Sequence, residues 1–177
     1  MMFMAEIDVP SAVTVSLNEN VVHIKGKHGS ATKKFNAKYV SVKLNGSKVE
    51  VSASANKKFE KMSRYMQTSI TNEIASAFKS VDEGIEVKMQ IIYSHFPISL
   101  EAKGKSIMVK NILGSRIARE APIVGDTKVE FKGQDVTIKG SDIYDVGQTV
   151  ANIRKACETK GYDSRVFQDG IYVIKGE

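Results

Sequence analysis

The chain has 177 residues, of which 42% are apolar, and it carries 26 Lys and Arg against 20 Asp and Glu, for a net charge of +6. This length suits one ordinary domain or two small ones, and apolar stretches of only a few residues exclude a membrane-spanning helix. A single cysteine, Cys157, excludes an intrachain disulfide. Because the first ten residues lack the basic leader and apolar core of a secretory signal, we expect a soluble cytoplasmic protein.

The first predicted elements are two β-hairpins. Val13–Leu17 and Val21–Lys25 alternate apolar and polar residues on either side of Asn18-Glu19-Asn20, which is typical of two strands joined by a tight turn. Val42–Val51 alternates in the same way around Asn45-Gly46, a strong two-residue turn signal.

An amphipathic helix and a further strand are predicted next. In the helix, apolar residues recur at intervals of three or four, which places them on one face. They are Phe59, Met62, Met66, Ile70, Ile74, Phe78 and Val81. We expect Ile70 and Ile74 to be buried beneath the sheet, and Glu86–Tyr93 to be the strand that closes this first unit.

The second half of the chain repeats the hairpins. Ile98–Ala102 and Ile107–Lys110 match the first hairpin at an offset of 85 residues, and Gly114-Ser115 matches Gly29-Ser30 at the same offset. Val129–Ile138 matches the second hairpin at an offset of 87 residues, with its turn at Gly133-Gln134.

A second helix follows these hairpins. Its apolar positions are Ile143, Val146, Val150, Ile153 and Cys157, of which we expect Val150 and Ile153 to be buried. Ser141 or Asp142 is suited to the N-cap, and Gly161 to the stop. A last strand is predicted at Ile171–Ile174.

These elements predict an α+β fold made of two tandem copies of a small antiparallel sheet with one packed helix, an internal duplication. We predict a basic N-terminal domain at residues 1–93 and a C-terminal domain at residues 94–177. The joint is Tyr93–Pro97, where Pro97 favours an extended Phe96.

The basic residues are concentrated in the first half. Between His23 and Arg64, 11 basic residues are opposed only by Glu50 and Glu60, which gives this segment a net charge of +9 and the rest of the chain −3. Such asymmetry fits either a polyanionic partner or a solvated basic face.

Three of these basic residues share one face in the opening turns of the first helix: Lys57, Lys61 and Arg64. Positive charge there opposes the helix dipole, at a cost of a few tenths of a kcal/mol per residue. We interpret them as a secondary RNA-binding or electrostatic site, although exposed surface also tolerates such a cost.

No group of residues predicts catalysis. His23, His28 and His95 lie far apart in the sequence and outside any metal-binding pattern, so we expect structural roles for them. Asp142 and Asp145 suit the first turn of a helix, where carboxylates interact favourably with the dipole. We therefore predict no catalytic residue, no metal site and no cofactor.

The second helix has a polar face that could meet a partner. Gln148, Asn152, Lys155 and Thr159 lie on it. Gly147 lies within the helix, where glycine costs about 1 kcal/mol relative to alanine. Such a glycine allows close approach, either of a neighbouring strand or of an RNA backbone.

The segment Gly161–Lys175 is rich in aromatic and charged side chains. Arginine and aromatic side chains suit RNA, because guanidinium and ring planes stack on bases and the guanidinium forks onto phosphate. Alternatively, Phe167 and Tyr172 seal the edge of the sheet.

Four strings in the chain resemble the large-subunit ribosomal protein six family, in its archaeal and eukaryotic branch (the eukaryotic cytosolic member is numbered nine). They are YSHFP at residues 93–97, IVGDTKVEFKGQDV at 123–136, VGQTVANIR at 146–154 and RVFQDGIYVIK at 165–175. The similarity covers nearly the whole chain, and the four strings are specific together and not one by one. The resemblance implies the same internal duplication of a sheet-and-helix unit.

The resemblance also implies a non-catalytic protein that binds large-subunit ribosomal RNA near the stalk base and the sarcin–ricin loop, beside other ribosomal proteins. Family members contact RNA mainly through the C-terminal domain. The matching positions here are Gln148, Asn152, Arg154, Lys160, Arg165, Phe167, Gln168 and Asp169. Cys157 and Thr159 depart from the basic residues that would favour contact by the end of the second helix.

Two other functions compete with this interpretation. One is a free-standing RNA-binding regulator, and the other is an enzyme acting on RNA or nucleotides, against which the missing acid–base pair and metal site argue. For the ribosomal interpretation we expect no membrane partner, no small-molecule substrate and no homo-oligomer.

Overall fold

A computed structural model describes residues 4–54, 59–159, 161–163 and 165–174. The chain divides into two compact units, Met1–Gly84 and Ile85–Glu177. Within the described ranges, neither helix is long and apolar enough to cross a membrane.

The described residues of the first unit form six strands and one α-helix. They are β1 (Met4–Asp8), β2 (Thr14–Asn18), β3 (Val21–Gly26), β4 (Gly29–Lys34), β5 (Val40–Asn45), β6 (Lys48–Ala53) and α1 (Glu60–Glu83). The strands form two antiparallel sheets, ordered β1-β6-β5 and β2-β3-β4. The predicted Asn45-Gly46 turn joins β5 to β6, with Gly46 at φ +60°, a conformation that glycine adopts without strain.

The core of the first unit lies between α1 and both sheets. Ile70, Ile74 and Val81 of α1 are buried against the inward-facing residues of β3 and β6. Burying such a side chain contributes about 1.5–3 kcal/mol. The predicted stripe is confirmed from Ile70 to Val81, whereas Met62, in the first turn, is exposed.

In the second unit, the part of the chain that the structure describes forms seven strands and one α-helix. They are β7 (Ile85–Ile92), β8 (Ser99–Lys103), β9 (Ser106–Lys110), β10 (Arg119–Pro122), β11 (Lys128–Lys132), β12 (Asp135–Gly140), α2 (Ile143–Cys157) and β13 (Gly170–Val173). The strands form two antiparallel sheets, ordered β10-β9-β8 and β11-β12-β7-β13.

Helix α2 begins at the predicted cap. Asp142 is the N-cap residue, and its carboxylate accepts a hydrogen bond from the backbone N–H of Tyr144 at 2.9 Å. Ile153 is fully buried and Val150 is half-buried against the same core. The helix ends at Cys157, earlier than the stop predicted at Gly161, because the backbone of Glu158 is extended. Arg119 donates to the carbonyl groups of Ala156 and Glu158 at this end, at 3.1 and 2.7 Å.

Strand register confirms the duplication. Val42 faces Val51 across β5 and β6, and Val129 faces Ile138 across β11 and β12, which reproduces the sequence offset of 87. Leu17 faces Val22 and Ala102 faces Ile107, which reproduces the offset of 85. The α+β class with repeated sheet-and-helix units is therefore confirmed, with the strands of each unit divided between two sheets instead of one.

The boundary between the units differs from the prediction of 93/94. Strand β7 pairs with β12 and β13 of the second unit, so that the observed division falls between Gly84 and Ile85. In register, Met89 of β7 faces Val136 as Ile7 of β1 faces Val49. Strand β7 is thus the second unit's copy of β1 and does not close the first unit.

Gly29-Ser30 and Gly114-Ser115, which match in sequence, lie in different kinds of element in the structure. Gly29 pairs with Gly26 at the start of β4, whereas Gly114 ends a short 3-10 turn at Ile112–Gly114. The connection between β9 and β10 is longer than that between β3 and β4, so equal sequence spacing does not give equal positions.

Candidate nucleic-acid interface

Helix α2 has one buried face and one open face. Val146, Thr149, Ile153 and Ala156 point into the core. Spaced by three or four on the other side are the exposed residues Gly147, Gln148, Ala151, Arg154 and Lys155. We call these five residues the outer face of α2.

Gly147 has open space around it. A Cβ built there meets no atom within 4 Å, whereas one at Gly140 would lie 2.5 Å from a methyl carbon of Val146. Close approach of a neighbouring strand, one of the two explanations for Gly147, is therefore excluded among the described residues. Glycine destabilises the helix by about 1 kcal/mol relative to alanine, and no contact among the described residues requires a glycine at this position.

Asn152 and Gln148 are linked on the side of α2. The Asn152 amide donates to the carbonyl of Pro122 at 2.8 Å, which ties α2 to β10. Gln148 donates to the Asn152 side-chain oxygen at 3.1 Å and remains exposed. Of these two predicted contacts, Asn152 thus has a structural partner, and it orients Gln148.

Arg154 and Lys155 line a groove of about 510 Å³ between the end of α2 and β13. Glu158, Thr159, Asp169 and Tyr172 line it as well. Cations in the last turn of a helix interact favourably with its dipole, by about 0.3–1 kcal/mol. Stabilising the helix dipole is therefore one role of Arg154 and Lys155. Within the described ranges, neither residue forms a salt bridge.

In the tail that follows α2, the segment Gly161–Lys175, Asp163 accepts hydrogen bonds from two backbone N–H groups. Its carboxylate accepts from the backbone N–H of Arg165 at 2.9 Å, and its carbonyl accepts from that of Phe167 at 2.8 Å. The side chains of Arg165 and Gln168 are exposed. Lys160, another predicted contact, lies outside the described residues.

Phe167 lies in a stack of three rings. The ring of His95 is nearly parallel to it, at 11° and a centroid distance of 5.1 Å, and Tyr162 contacts it at 5.2 Å and 39°. Phe167 is half-buried, while the other two rings are exposed. Sequence reasoning gave His95 only a structural role, although the string YSHFP was among those that carried the family resemblance.

Asp169 is buried, with only 3% of its side chain exposed. One carboxylate oxygen accepts from the backbone N–H and the hydroxyl of Ser94 at 2.8 and 3.0 Å, and lies 3.8 Å from Nδ1 of His95. Burial raises the pKa of this carboxyl, but hydrogen bonds from Ser94 and from the His95 backbone, together with the charge of the His95 ring, outweigh it and lower the pKa overall. Asp169 therefore faces inward and orients the residues around it.

The basic patch of the first unit lies at the start of α1. Lys61 and Arg64 are exposed and line a groove of about 400 Å³ with Tyr65 and Thr68. Lys57, the third residue of the predicted patch, lies outside the described residues. The helix carries acidic Asp82 and Glu83 in its last turn and no basic residue there, which opposes the dipole at that end, while Glu60 in the first turn offsets the charge of Lys61.

Metal-binding and thiol chemistry have no support in the described ranges. Groups of three or more metal-ligating side chains are absent there. Cys157 is a buried free thiol, and burial raises its pKa to about 12 against a small lowering by Arg119, so it is not a reactive nucleophile at neutral pH.

The chain is similar to known proteins over almost its whole length. The profile of the family described as Ribosomal protein L6 matches residues 96–170. The large ribosomal subunit protein uL6 of Picrophilus torridus is 38% identical to it over 98% of this chain and 94% of the relative. The uL6 proteins of Methanocella arvoryzae and Thermoplasma acidophilum are each 40% identical, over 95% and 97% of this chain and 94% and 95% of their own.

Proposed function

The chain belongs to the ribosomal protein L6 family, and from this we propose that it binds large-subunit ribosomal RNA through the outer face of α2 and the tail that follows it. It is a structural, non-enzymatic constituent of the large ribosomal subunit. We also propose that the protein lies near the stalk base and the sarcin–ricin loop, beside other ribosomal proteins, and that it is cytoplasmic.

The main support for the proposed surface is Gly147, an exposed glycine within α2. An exposed glycine within a helix is unfavourable by about 1 kcal/mol relative to alanine, and no described neighbour fills the space beside it. An RNA backbone can approach the helix closely at this point, and any side chain would keep it away. The glycine is thus explained by a partner that is not part of the folded chain.

The charged and polar groups around Gly147 suit phosphate and ribose. Arg154 and Lys155 both lie about two turns beyond Gly147 on the outer face, and Arg165 follows in the tail. Arginine presents a planar fork of donors that matches phosphate oxygens, whereas lysine offers a point charge. Gln148 and Gln168 add exposed groups that donate and accept hydrogen bonds.

Two of the predicted contacts have a positioning role in this proposal. Asn152 holds α2 against β10, and the buried carboxylate of Asp169 holds Ser94 and His95. The direct contacts are then Gln148, Arg154, Lys160, Arg165, Phe167 and Gln168.

The basic residues of the first unit supply a second contribution. Lys57, Lys61 and Arg64, with the +9 segment in which they lie, attract the RNA at long range or contact a second RNA element. This division gives shape-specific contacts to the second unit and diffuse charge to the first.

Sedimentation and RNA binding together test the proposal. A tagged chain expressed in its host should sediment almost wholly with large subunits, and the purified chain should bind deproteinised large-subunit RNA. Arg154→Ala should weaken that binding more than Arg116→Ala, because Arg116 is exposed but outside the surface. A chain found mainly free of ribosomes would instead support a free-standing regulator.

A further inference from the structure

We propose that Tyr162, Phe167 and His95 form a platform on which one unpaired base of the RNA stacks. This rests on the proposed function and deepens it, because it specifies the state of the nucleotide that is bound. It also adds two residues, His95 and Tyr162, to the surface.

The stack is separate from the hydrophobic core. Phe167 is absent from the described residues that form or line the core of the second unit. Its ring instead contacts His95, whose side chain is 55% exposed, and Tyr162, which is 57% exposed. Rings that only sealed a sheet edge would have their faces covered by apolar neighbours, whereas here the outer two rings are open to solvent.

The stack is also held in place from below. His95 lies 3.8 Å from the buried carboxylate of Asp169 and 2.9 Å from the hydroxyl of Ser94 through the same ring nitrogen, Nδ1. Phe167 is held by its backbone N–H, which donates to the carbonyl of Asp163. A ring that is already ordered loses little conformational entropy when a ligand stacks on it.

An unpaired base is the ligand whose chemistry fits. Nucleic-acid bases stack on aromatic side chains whatever their identity, because each base has a π face. A base inside an A-form duplex has both faces covered by its neighbours, so only an unstacked nucleotide can reach the platform. Arg165 is exposed and lies two residues from Phe167 in the sequence, so that its guanidinium can neutralise the adjoining phosphate.

The absence of tryptophan from the chain allows a direct test. In Tyr162→Trp the only indole lies in the stack, and in the control Ile117→Trp it lies at an exposed position outside the surface. The emission of each is measured at saturating concentrations of a single-stranded RNA decamer and of the blunt duplex of the same sequence. The single strand should quench Trp emission in Tyr162→Trp at least about twice as strongly as the duplex, and neither should affect the control.

Substitutions then separate stacking from sealing. His95→Ala should weaken single-strand binding roughly 5- to 150-fold, the range for loss of one stacked base. Phe167→Leu should weaken it as well, because Phe167 is the ring that contacts both outer rings. Leucine keeps an apolar side chain at position 167 and removes only the π face, and circular dichroism checks that both variants fold. Full affinity in Phe167→Leu, or equal quenching by duplex and single strand, overturns the platform.

The proposed function has a separate readout. If the emission of Tyr162→Trp does not change while Arg154→Ala still weakens binding of large-subunit RNA, the platform is wrong and the RNA surface stands. If the unsubstituted chain binds neither RNA, both proposals are wrong.

Discussion

The buried carboxylate of Asp169 lies 3.8 Å from Nδ1 of His95 and ties the tail after α2 to the segment before β8. Ser94 completes this connection with two hydrogen bonds to the same oxygen. Strand β13 begins directly afterwards, at Gly170, so the interaction fixes where the tail enters the sheet. The arrangement of Phe167 and its neighbours depends on it.

Replacing Asp169 by Asn should make stability depend less on pH. The pKa of Asp169 is lowered in the folded chain, so its contribution is present above the unfolded value of about 3.9 and is lost as the pH falls below it. At pH 7 Asp169→Asn should therefore be less stable by about 1–3 kcal/mol, as expected when a buried hydrogen-bonded charge is removed.

Urea unfolding at pH 7 and pH 3.5 measures this difference, with the exposed Asp126→Asn as control. The deficit of Asp169→Asn should shrink at the lower pH, and the control should stay within about 0.5 kcal/mol of the unsubstituted chain. A deficit that is the same at both pH values would show that the charge of Asp169 does not stabilise the tail.

Gly147→Ala should change stability and RNA affinity in opposite directions. Alanine is favoured over glycine in a helix, so the free chain should become more stable by up to about 1 kcal/mol. The added methyl group keeps the RNA backbone away from α2, so affinity for large-subunit RNA should fall about tenfold or more, or roughly 1.4 kcal/mol. Thermal unfolding and filter binding measure the two effects.

Gly104→Ala is the matched control for Gly147→Ala. It also adds a methyl group in open space, but in a hairpin turn outside the proposed surface. Because Gly104 has φ +63°, alanine there should lower stability and leave affinity unchanged. Unchanged affinity in Gly147→Ala would mean that RNA does not approach α2 at this residue.

Local patterns in the sequence predicted the hairpins and helices well. The Asn45-Gly46 turn and the Asp142 cap depend on neighbouring residues only, and both lie where they were expected. The partner of β7 depends on register with β12 and β13, far away in sequence. The predicted domain boundary therefore missed the observed one by a whole strand.

The candidate site shows the same limit. Polarity and the family resemblance selected the residues of α2 and the tail, including Asp169. Whether a carboxylate faces RNA or the interior depends on which residues pack against it in the fold. Ser94 and His95 precede β8, and Ser94 is 75 residues before Asp169 in the sequence. No spacing rule in the sequence links them to Asp169.

Ile153→Ala should destabilise the second unit, because Ile153 is fully buried in its core. Removing a buried isoleucine side chain costs about 2–5 kcal/mol, from lost burial and the cavity that remains. Ile117→Ala makes the same chemical change at a side chain that is 79% exposed, and it should stay within about 0.5 kcal/mol. Urea unfolding compares the two, and similar losses would show that α2 does not pack as described.

Cys157 should react with thiol reagents only when the second unit unfolds. Its pKa is raised to about 12 by burial, so almost none of it is thiolate at pH 8, and the thiolate is the reactive form. Labelling with a colourimetric disulfide reagent should be slow in buffer and complete within minutes in concentrated urea. Rapid labelling of the folded chain would mean that the end of α2 opens readily.

Arg165→Ala should weaken binding of large-subunit RNA by about 1–3 kcal/mol, the scale of a good charged hydrogen bond. The side chain of Arg165 is exposed, while its backbone is fixed by Asp163, so the substitution should leave the thermal midpoint of the free chain unchanged. Arg165→Lys should recover only part of the affinity, since lysine keeps the charge and loses the planar fork. Arg116→Ala removes an equally exposed arginine outside the surface and should matter less.

If Arg165→Ala keeps full affinity but lowers the thermal midpoint, the tail is a structural seal of the sheet. The RNA surface must then lie elsewhere, and the basic patch of the first unit becomes the first place to test.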